Sequence, residues 1–291
     1  MNNKLILAYL RLLRIPAVFT AMSNILAAHF IAGQGQIEWL LLLKLLAISS
    51  LLYSAGMVLN DCFDMEEDRR ERPSRPLPAG QIPVMHAWLM GWGFIIAALL
   101  ISSSAGWLVF SIAALLAAFV IGYDAYLKRT IFASLSMGSC RYLNWLLGMS
   151  VAGLSWHSFL VPLPIFIYIS SLTYLSQIET RADNKSHVII CMLGMGVSAG
   201  MITLFQFLSI YPNPWVFVFL IPALLIVLRK TIHVYHKLSS ANVQALVGFF
   251  ILGVIPLDAM LVFASGPWWG GIVVMLLILP SRFLARLIYV T

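Results

Sequence analysis

The chain has 291 residues, 61% of them hydrophobic and 10% charged, with a mean hydropathy of +0.94. Soluble domains run about 45–50% apolar and about 25% charged, so a chain this apolar has too little polar surface for a soluble fold. The formal net charge of +7 is then assigned to loops flanking a membrane rather than to a surface that binds nucleic acid.

In chain order, hydrophobic segments fall at roughly 13–33, 39–60, 86–105, 107–124, 133–153, 159–178, 188–208, 214–229, 242–264 and 267–287. A helix needs roughly 20 apolar residues to cross a bilayer core. The pattern predicts an all-α integral membrane protein with nine to ten transmembrane helices. The third and fourth segments share a minimal link at Ala105 and Gly106, and the last segment is the weakest. A nine-span arrangement would leave that last segment interfacial or half-inserted. No linker, low-complexity tract or repeat divides the chain, so residues 1–291 are expected to form one domain. No cleavable signal peptide is expected, because Arg11 and Arg14 interrupt the first apolar run. The three cysteines, Cys62, Cys140 and Cys191, have neither metal-ligand spacing nor the even count of a disulfide framework.

Basic residues orient the segments. With the N-terminus inside, the outer loops near 33–38, 104–107, 154–158, 209–213 and 264–267 contain no Lys or Arg. Every basic residue except Lys44 and Arg141 then lies on the inner side. Cytoplasmic loops are enriched in Lys and Arg. The expectation is a multi-pass protein of the cytoplasmic membrane, with its N-terminus and its polar face cytoplasmic.

The acids are concentrated. Of 11 Asp and Glu residues, Asp61, Asp64, Glu66, Glu67, Asp68 and Glu71 follow one another at the inner end of the second segment. If the helix continues, Asp61, Asp64 and Asp68 fall at i, i+3 and i+7, on one face bordered by Asn60. Carboxylates crowded on one stripe repel one another and become favourable around a hard cation such as Mg²⁺. The same run reads equally as a solvated acidic helix end. Next come Arg72, Pro73, Ser74, Arg75, Pro76, Leu77, Pro78, Ala79 and Gly80. Proline ends the helix and extends the chain, and arginine presents a planar fork of donors suited to phosphate. Acids suited to metal beside arginines suited to phosphate describe a metal–diphosphate site.

The motif Asn60-Asp61-x-x-Asp64-x-x-x-Asp68-x-x-x-Arg72-Pro73-x-Arg75-Pro76-Leu77-Pro78-x-Gly80 resembles the first aspartate-rich motif of the UbiA family of intramembrane prenyltransferases. Arg14-Ile15-Pro16 resembles the family's arginine–proline approach to the first span. Tyr126, Lys128 and Arg129 resemble its segment after the fourth, and Arg141, Asn144 and Gly148 its positions in the fifth. The resemblance implies a helical bundle around a central cavity that opens sideways to lipid. It also implies an isoprenyl diphosphate held through Mg²⁺, and an aromatic or other lipophilic acceptor that captures the prenyl cation.

The family's second motif usually carries two aspartates four residues apart after the sixth span. Here Glu179 and Asp183 keep the spacing, with glutamate first and with Arg181 and Lys185 interleaved. This variant resembles the EboC-like branch of the family. The resemblance therefore implies Asp61, Asp64, Asp68, Glu179 and Asp183 as metal-holding and catalytic acids. It implies Asn60, Arg72, Arg75, Tyr126, Lys128, Arg129, Arg141, Asn144, Arg181 and Lys185 as substrate-binding residues.

Two charges sit toward the outer side within spans. Lys44 is long enough to snorkel to the interface. Asp258 is a functional candidate, because a charge there is costly. Arg141 is read equally as a substrate contact or as the partner of an acid such as Asp124. Two other functions compete with prenyl transfer. One is a membrane carrier of a lipophilic precursor that reuses the fold, suggested by Asp258 and the altered second motif. The other is an alcohol phosphotransferase, whose Asp-Gly and Ala-Arg elements are absent around these acids.

Overall fold

The computed structural model describes residues 3–289, and within them every regular element is helical. In chain order these are α1 (Asn3–Leu12), α2 (Ile15–Ala32), α3 (Trp39–Phe63), α4 (Met65–Glu71), α5 (Val84–Ser103), α6 (Trp107–Ala125) and α7 (Ala133–Met149). They continue as α8 (Trp156–Leu160), α9 (Leu163–Ser176), α10 (Lys185–Phe207), α11 (Val216–His236), α12 (Ser240–Ser265), α13 (Trp268–Leu276) and α14 (Ile278–Tyr289).

Among the described residues, nine helices are long and apolar enough to cross a membrane, with α8–α9 and α13–α14 each counted as one. The protein is a multi-pass integral membrane protein. Of the ten segments expected, the fifth is the one not among these nine, and the last is among them. The α13–α14 pair runs 21 residues, from Trp268 to Ile288, although the chain is interrupted at Leu277. By contrast α7 is only 17 residues long and carries Ser134, Ser136, Ser139, Arg141 and Asn144.

Packing explains how so polar a helix is accommodated. It lies against α2, α6 and α9, and its neighbours approach closely because small residues line the contacts. A Cβ on Gly148 would come within 2.6 Å of Ala28 Cβ and 2.9 Å of the Ile25 carbonyl. A Cβ on Gly138 would meet Ser170 Oγ at 2.2 Å and the Phe166 carbonyl at 2.8 Å. With backbones this close, Arg141 and Asn144 of α7 find hydrogen-bond partners on α2 instead of facing lipid. The bundle is graded in the same way. The α2 span is 72% buried, whereas α11 is 17% buried and presents Leu225, Ile226 and Leu228 outward.

The polar end of the bundle is held by a second, smaller cluster. Ala8 and Leu12 of α1, Val58 and Cys62 of α3, and Ala87 of α5 enclose Leu77 and Ile82 of the proline-rich loop. Leu77 and Ile82 are each 1% exposed. Burying them folds the loop back over the end of α3, and this return brings Arg75 to the aspartates.

Candidate active site

The acidic run does not form one continuous helical stripe. Helix α3 ends at Phe63, Asp64 occupies the joint, and α4 begins at Met65. The break sends neighbouring acids in different directions. Arg75 Nη1 lies 2.6 Å from Asp68 Oδ2 and 3.3 Å from Asp61 Oδ1, so one guanidinium joins these two. Asp64 turns to the opposite side, 2.5 Å from Lys128 Nζ and 3.8 Å from Arg129 Nη2. Farther out, Arg129 reaches Glu67 at 3.7 Å and Arg181 reaches Glu71 at 4.0 Å.

Arg14 completes the inner group. It sits at the joint between α1 and α2 with φ 47° and ψ 45°, the left-handed region that a side chain with a Cβ rarely adopts. Strain of this kind persists where the surroundings hold it, often at functional sites. Here it aims the guanidinium at Asp61, with Nη2 to Oδ1 at 3.1 Å.

Below these groups lies a cavity of about 900 Å³. Its polar end is lined by Arg14, Asn60, Asp61, Arg75, Asp124 and Glu179. Deeper in, the lining includes Arg141 and Asn144 and an apolar wall that includes Leu52, Leu116, Val120, Ile169, Leu172 and Ile251. Asp64 and Asp68 stand outside this lining and act on it through their ion pairs.

Glu179 arrives by a separate route. The chain leaves α9 at Ser176, buries Ile178 and turns at Ala182 with φ 46°. It enters α10 where Asn184 Oδ1 accepts from the Ser186 amide at 2.8 Å, a side-chain N-cap. The turn places Glu179 on the cavity and leaves Arg181, Asp183 and Lys185 exposed. Burial pushes the Glu179 carboxyl above the ordinary glutamate range, and the fields of Arg72, Arg14 and Arg75 pull it partly back. Lys185 instead lies over the Tyr235 ring, 5.0 Å from its centroid. Tyr126 is 77% exposed and outside the lining; the tyrosines on the cavity are Tyr53 and Tyr123.

Asp124 carries more than its sequence context suggested. It is 3% exposed and lines the cavity. Asn60 Nδ2 donates to its Oδ1 at 2.9 Å, while its Oδ2 has no hydrogen-bond partner among the described residues. The available signal was an acid at the inner end of an apolar segment, four residues before Lys128. Arg141 does not pair with it. Instead Arg141 donates to Thr20 Oγ1 at 2.8 Å and to Asn24 Oδ1 at 3.2 Å, and lies 5.0 Å from the centroid of the Tyr53 ring. Asn144 donates to the Ala21 carbonyl at 3.0 Å. Lys44 donates to the Ser104 carbonyl, just past the end of α5, at 2.9 Å.

A profile of the UbiA prenyltransferase family matches residues 21–254. The chain belongs to that family. Among its relatives, the digeranylgeranylglyceryl phosphate synthase of Metallosphaera sedula is 29% identical over 150 residues, which is 51% of each chain. The Sulfolobus acidocaldarius protein of the same name is 28% identical over 184 residues, 61% of this chain and 65% of that one. The match therefore spans about half to two thirds of the length of these relatives. Solved UbiA structures share the fold. A digeranylgeranylglyceryl phosphate synthase structure aligns with TM-score 0.67 at 21% identity, covering 91% of this chain and 99% of the other. A UbiA homolog from Aeropyrum pernix K1 aligns at 0.66 and 12%, covering 83% and 97%. A UbiA homolog from Archaeoglobus fulgidus bound to DMAPP and Mg²⁺ aligns at 0.57 and 14%, covering 92% and 98%.

The UbiA fold thus brings hard oxygen donors from three segments to one cavity in this chain, namely Asn60 and Asp61, Asp124, and Glu179. No group of three or more His, Cys, Asp or Glu among the described residues is drawn together tightly enough to hold a metal ion, and arginine or lysine occupies the space between the aspartates. The donor chemistry fits Mg²⁺, and the unpartnered Asp124 Oδ2 is a buried acceptor of the kind a cation would satisfy.

Proposed function

We propose that this UbiA-family chain is a Mg²⁺-dependent intramembrane prenyltransferase, moving an isoprenyl group from an isoprenyl diphosphate to a lipophilic acceptor. One observation carries the reading. Asp61 and Glu179, from separate acidic segments, line a single cavity whose mouth holds Arg14 and Arg75 and whose depth is apolar. The mouth suits a diphosphate, and the apolar depth suits an isoprenoid chain.

Asp61, Asp64, Asp68 and Glu179 are the proposed metal-holding acids, joined by Asp124 on the geometry above. Asp183 would contribute only if its exposed turn closed inward. A bound Mg²⁺ would neutralise charge that develops on the leaving diphosphate. The chain's own cations do the same work from fixed positions. Arg14, Arg75 and Lys128 already lie against the aspartates, and phosphate oxygens arriving there would take over their N–H donors. Arg72 and Arg129 extend this positive rim. The apolar wall excludes water, so the allylic carbon exposed when the carbon–oxygen bond breaks meets the acceptor rather than solvent. Arg141 and Asn144 sit deeper, where a polar group of a substrate would meet them.

The acceptor is an aromatic or other lipophilic molecule. The name of the archaeal relatives makes a geranylgeranylglyceryl phosphate lipid the first to try. A narrower kinship with the EboC-like branch rests on the Glu179 variant alone. The proposed setting is the cytoplasmic membrane, with the N-terminus and active-site end inside and residues 1–291 forming one domain. The carrier alternative drew on Asp258, which lies outside the cavity lining with its oxygens hydrogen-bonded. Transfer is therefore preferred.

Diphosphate release from geranylgeranyl diphosphate, with Mg²⁺ and a lipid acceptor, tests the reading. Wild type should turn over, and Asp61→Ala or Asp64→Ala should lose about 100-fold or more, as expected when a group acting on developing charge is removed. Transport of a lipophilic precursor into vesicles without diphosphate release would contradict it and favour the carrier.

A further inference from the structure

Asp258 lies in α12 with 0% exposure, and it is not part of the cavity lining. A buried carboxylate at membrane depth is expensive unless it is fully paired. Its Oδ2 accepts from Ser23 Oγ at 2.5 Å and from Asn24 Nδ2 at 2.7 Å, and its Oδ1 accepts from Trp145 Nε1 at 3.2 Å. Ser23, Asn24 and Trp145 are themselves 0% exposed.

The contact with Asn24 has a direction. An amide has one donating end and one accepting end. With Nδ2 committed to Asp258, Asn24 must turn Oδ1 the other way. That oxygen accepts from Arg141 Nη1 at 3.2 Å and from Asn144 Nδ2 at 3.4 Å, both of which belong to the cavity wall. Thr20 and the Tyr53 ring hold the rest of the guanidinium.

We infer that Asp258 is a positioning residue. Acting through Asn24, it fixes Arg141 as an anion-binding group deep in the cavity, where it receives a phosphoryl oxygen of a substrate. The inference rests on the proposed prenyltransferase reading. The phosphoryl group belongs either to the donor diphosphate or to a phosphate on the acceptor.

Substitution can reverse one link of this chain. In Asp258→Asn, an amide nitrogen facing Asn24 forces the Asn24 amide to flip and present its own nitrogen to Arg141. In the exchange Asn24→Asp with Asp258→Asn, the new carboxylate at 24 accepts from Arg141, from Asn144 and from the amide at 258. The oxygen of that amide still accepts from Trp145, and Ser23 Oγ accepts instead of donating. Every partner is retained, and the two hydrogen bonds that reverse direction are those from position 258 to position 24 and to Ser23.

The test measures binding of two probes to the purified, detergent-solubilised full chain. The probes are geranylgeranyl diphosphate with Mg²⁺ and, separately, geranylgeranylglyceryl phosphate. Arg141→Ala should weaken one probe about tenfold or more, as for loss of a charge-assisted hydrogen bond. Asp258→Asn should weaken the same probe to a similar degree. The Arg141→Ala, Asp258→Asn double variant should bind within about twofold of Arg141→Ala alone, since residues acting in one chain are non-additive. The reciprocal exchange should return binding to within about threefold of wild type. Which probe responds identifies the source of the phosphoryl group. A merely structural Asp258 would weaken both probes, add to Arg141→Ala, and not be rescued by the exchange; that result overturns the inference, as does unaltered binding in Arg141→Ala. Should Asp258→Asn fail to fold, the exchange variant decides: folding with binding restored supports the inference, and folding with binding lost overturns it. A wild type that binds neither probe overturns the prenyltransferase reading, and this inference with it.

Discussion

Arg75 Nη1 stands between Asp68 Oδ2, at 2.6 Å, and Asp61 Oδ1, at 3.3 Å, so one guanidinium neutralises two carboxylates seven positions apart in the chain. Both aspartates are 3% exposed. Removing one partner of a buried ion pair leaves an uncompensated charge and costs about 3–5 kcal/mol. In EDTA, Arg75→Gln should lower the thermal unfolding midpoint by about 5 °C or more. Added Mg²⁺ should recover part of that loss, because a cation can take the place vacated between the acids. A variant that Mg²⁺ stabilises no more than it stabilises wild type would remove Asp61 and Asp68 from the metal site.

Glu179 gives a pH-dependent test. Burial raises its folded-state value above the unfolded one, with Arg72, Arg14 and Arg75 opposing. A raised value favours the protonated folded form. The associated stability is present in full below the unfolded value and is lost as pH rises through the folded value. In EDTA, wild type should therefore lose ground to Glu179→Gln as pH climbs from about 4 upward. A difference between their unfolding midpoints that does not change with pH would show that the carboxyl is not desolvated.

The two acids of the second segment should separate in turnover. Glu179 faces the cavity, whereas Asp183 is exposed. Glu179→Gln should reduce Mg²⁺-dependent turnover about 100-fold, on the scale of other groups that act on transition-state charge, and Asp183→Asn by less than about tenfold. Equal losses would mean that the turn at Ala182 closes over the substrate and brings Asp183 in.

Asp124 should report on the cation directly. Its Oδ2, without a hydrogen-bond partner among the described residues, lies buried while Asn60 holds its other oxygen. Asp124→Asn preserves size but weakens the oxygen donor, so the Mg²⁺ concentration required for donor binding should rise about tenfold or more. Unchanged Mg²⁺ dependence would confine Asp124 to holding the Asn60 amide.

Gly148 tests the packing that carries Arg141. A methyl there would press on Ala28 Cβ and on the Ile25 backbone, which cannot give way as a flexible side chain would. Gly148→Ala should cost about 1–3 kcal/mol by overpacking and lower the unfolding midpoint by several degrees. A neutral outcome would mean that α2 and α7 slide apart without penalty.

The membrane class and the first acidic segment were legible because hydropathy and motif spacing are local properties. The fifth span was legible as a segment but not as the short, enclosed helix it is. Its polarity is affordable only because α2 and α9 pack against Gly148 and Gly138, contacts that no local pattern reveals. Asp61, Asp64 and Asp68 were expected on one face, yet a single non-helical residue, Asp64 at the joint between α3 and α4, directs it to Lys128 and leaves Asp61 and Asp68 to Arg75. Tyr126 and Lys185 were drawn in by motif position, and the turn geometry places both outside the cavity. Asp124 and Asp258 stood out only as isolated charges. Their partners, Asn60 for one and Ser23, Asn24 and Trp145 for the other, come from distant segments.

The central claim is that the acids at the mouth of the cavity hold an isoprenyl diphosphate through Mg²⁺. Thermal stabilisation of the purified protein by geranylgeranyl diphosphate, with and without Mg²⁺ and with Asp64→Asn alongside, tests it most directly. Stabilisation that requires both Mg²⁺ and Asp64 is the predicted result. No stabilisation by this donor or by shorter and longer ones, or stabilisation indifferent to Mg²⁺ and to Asp64, would contradict it.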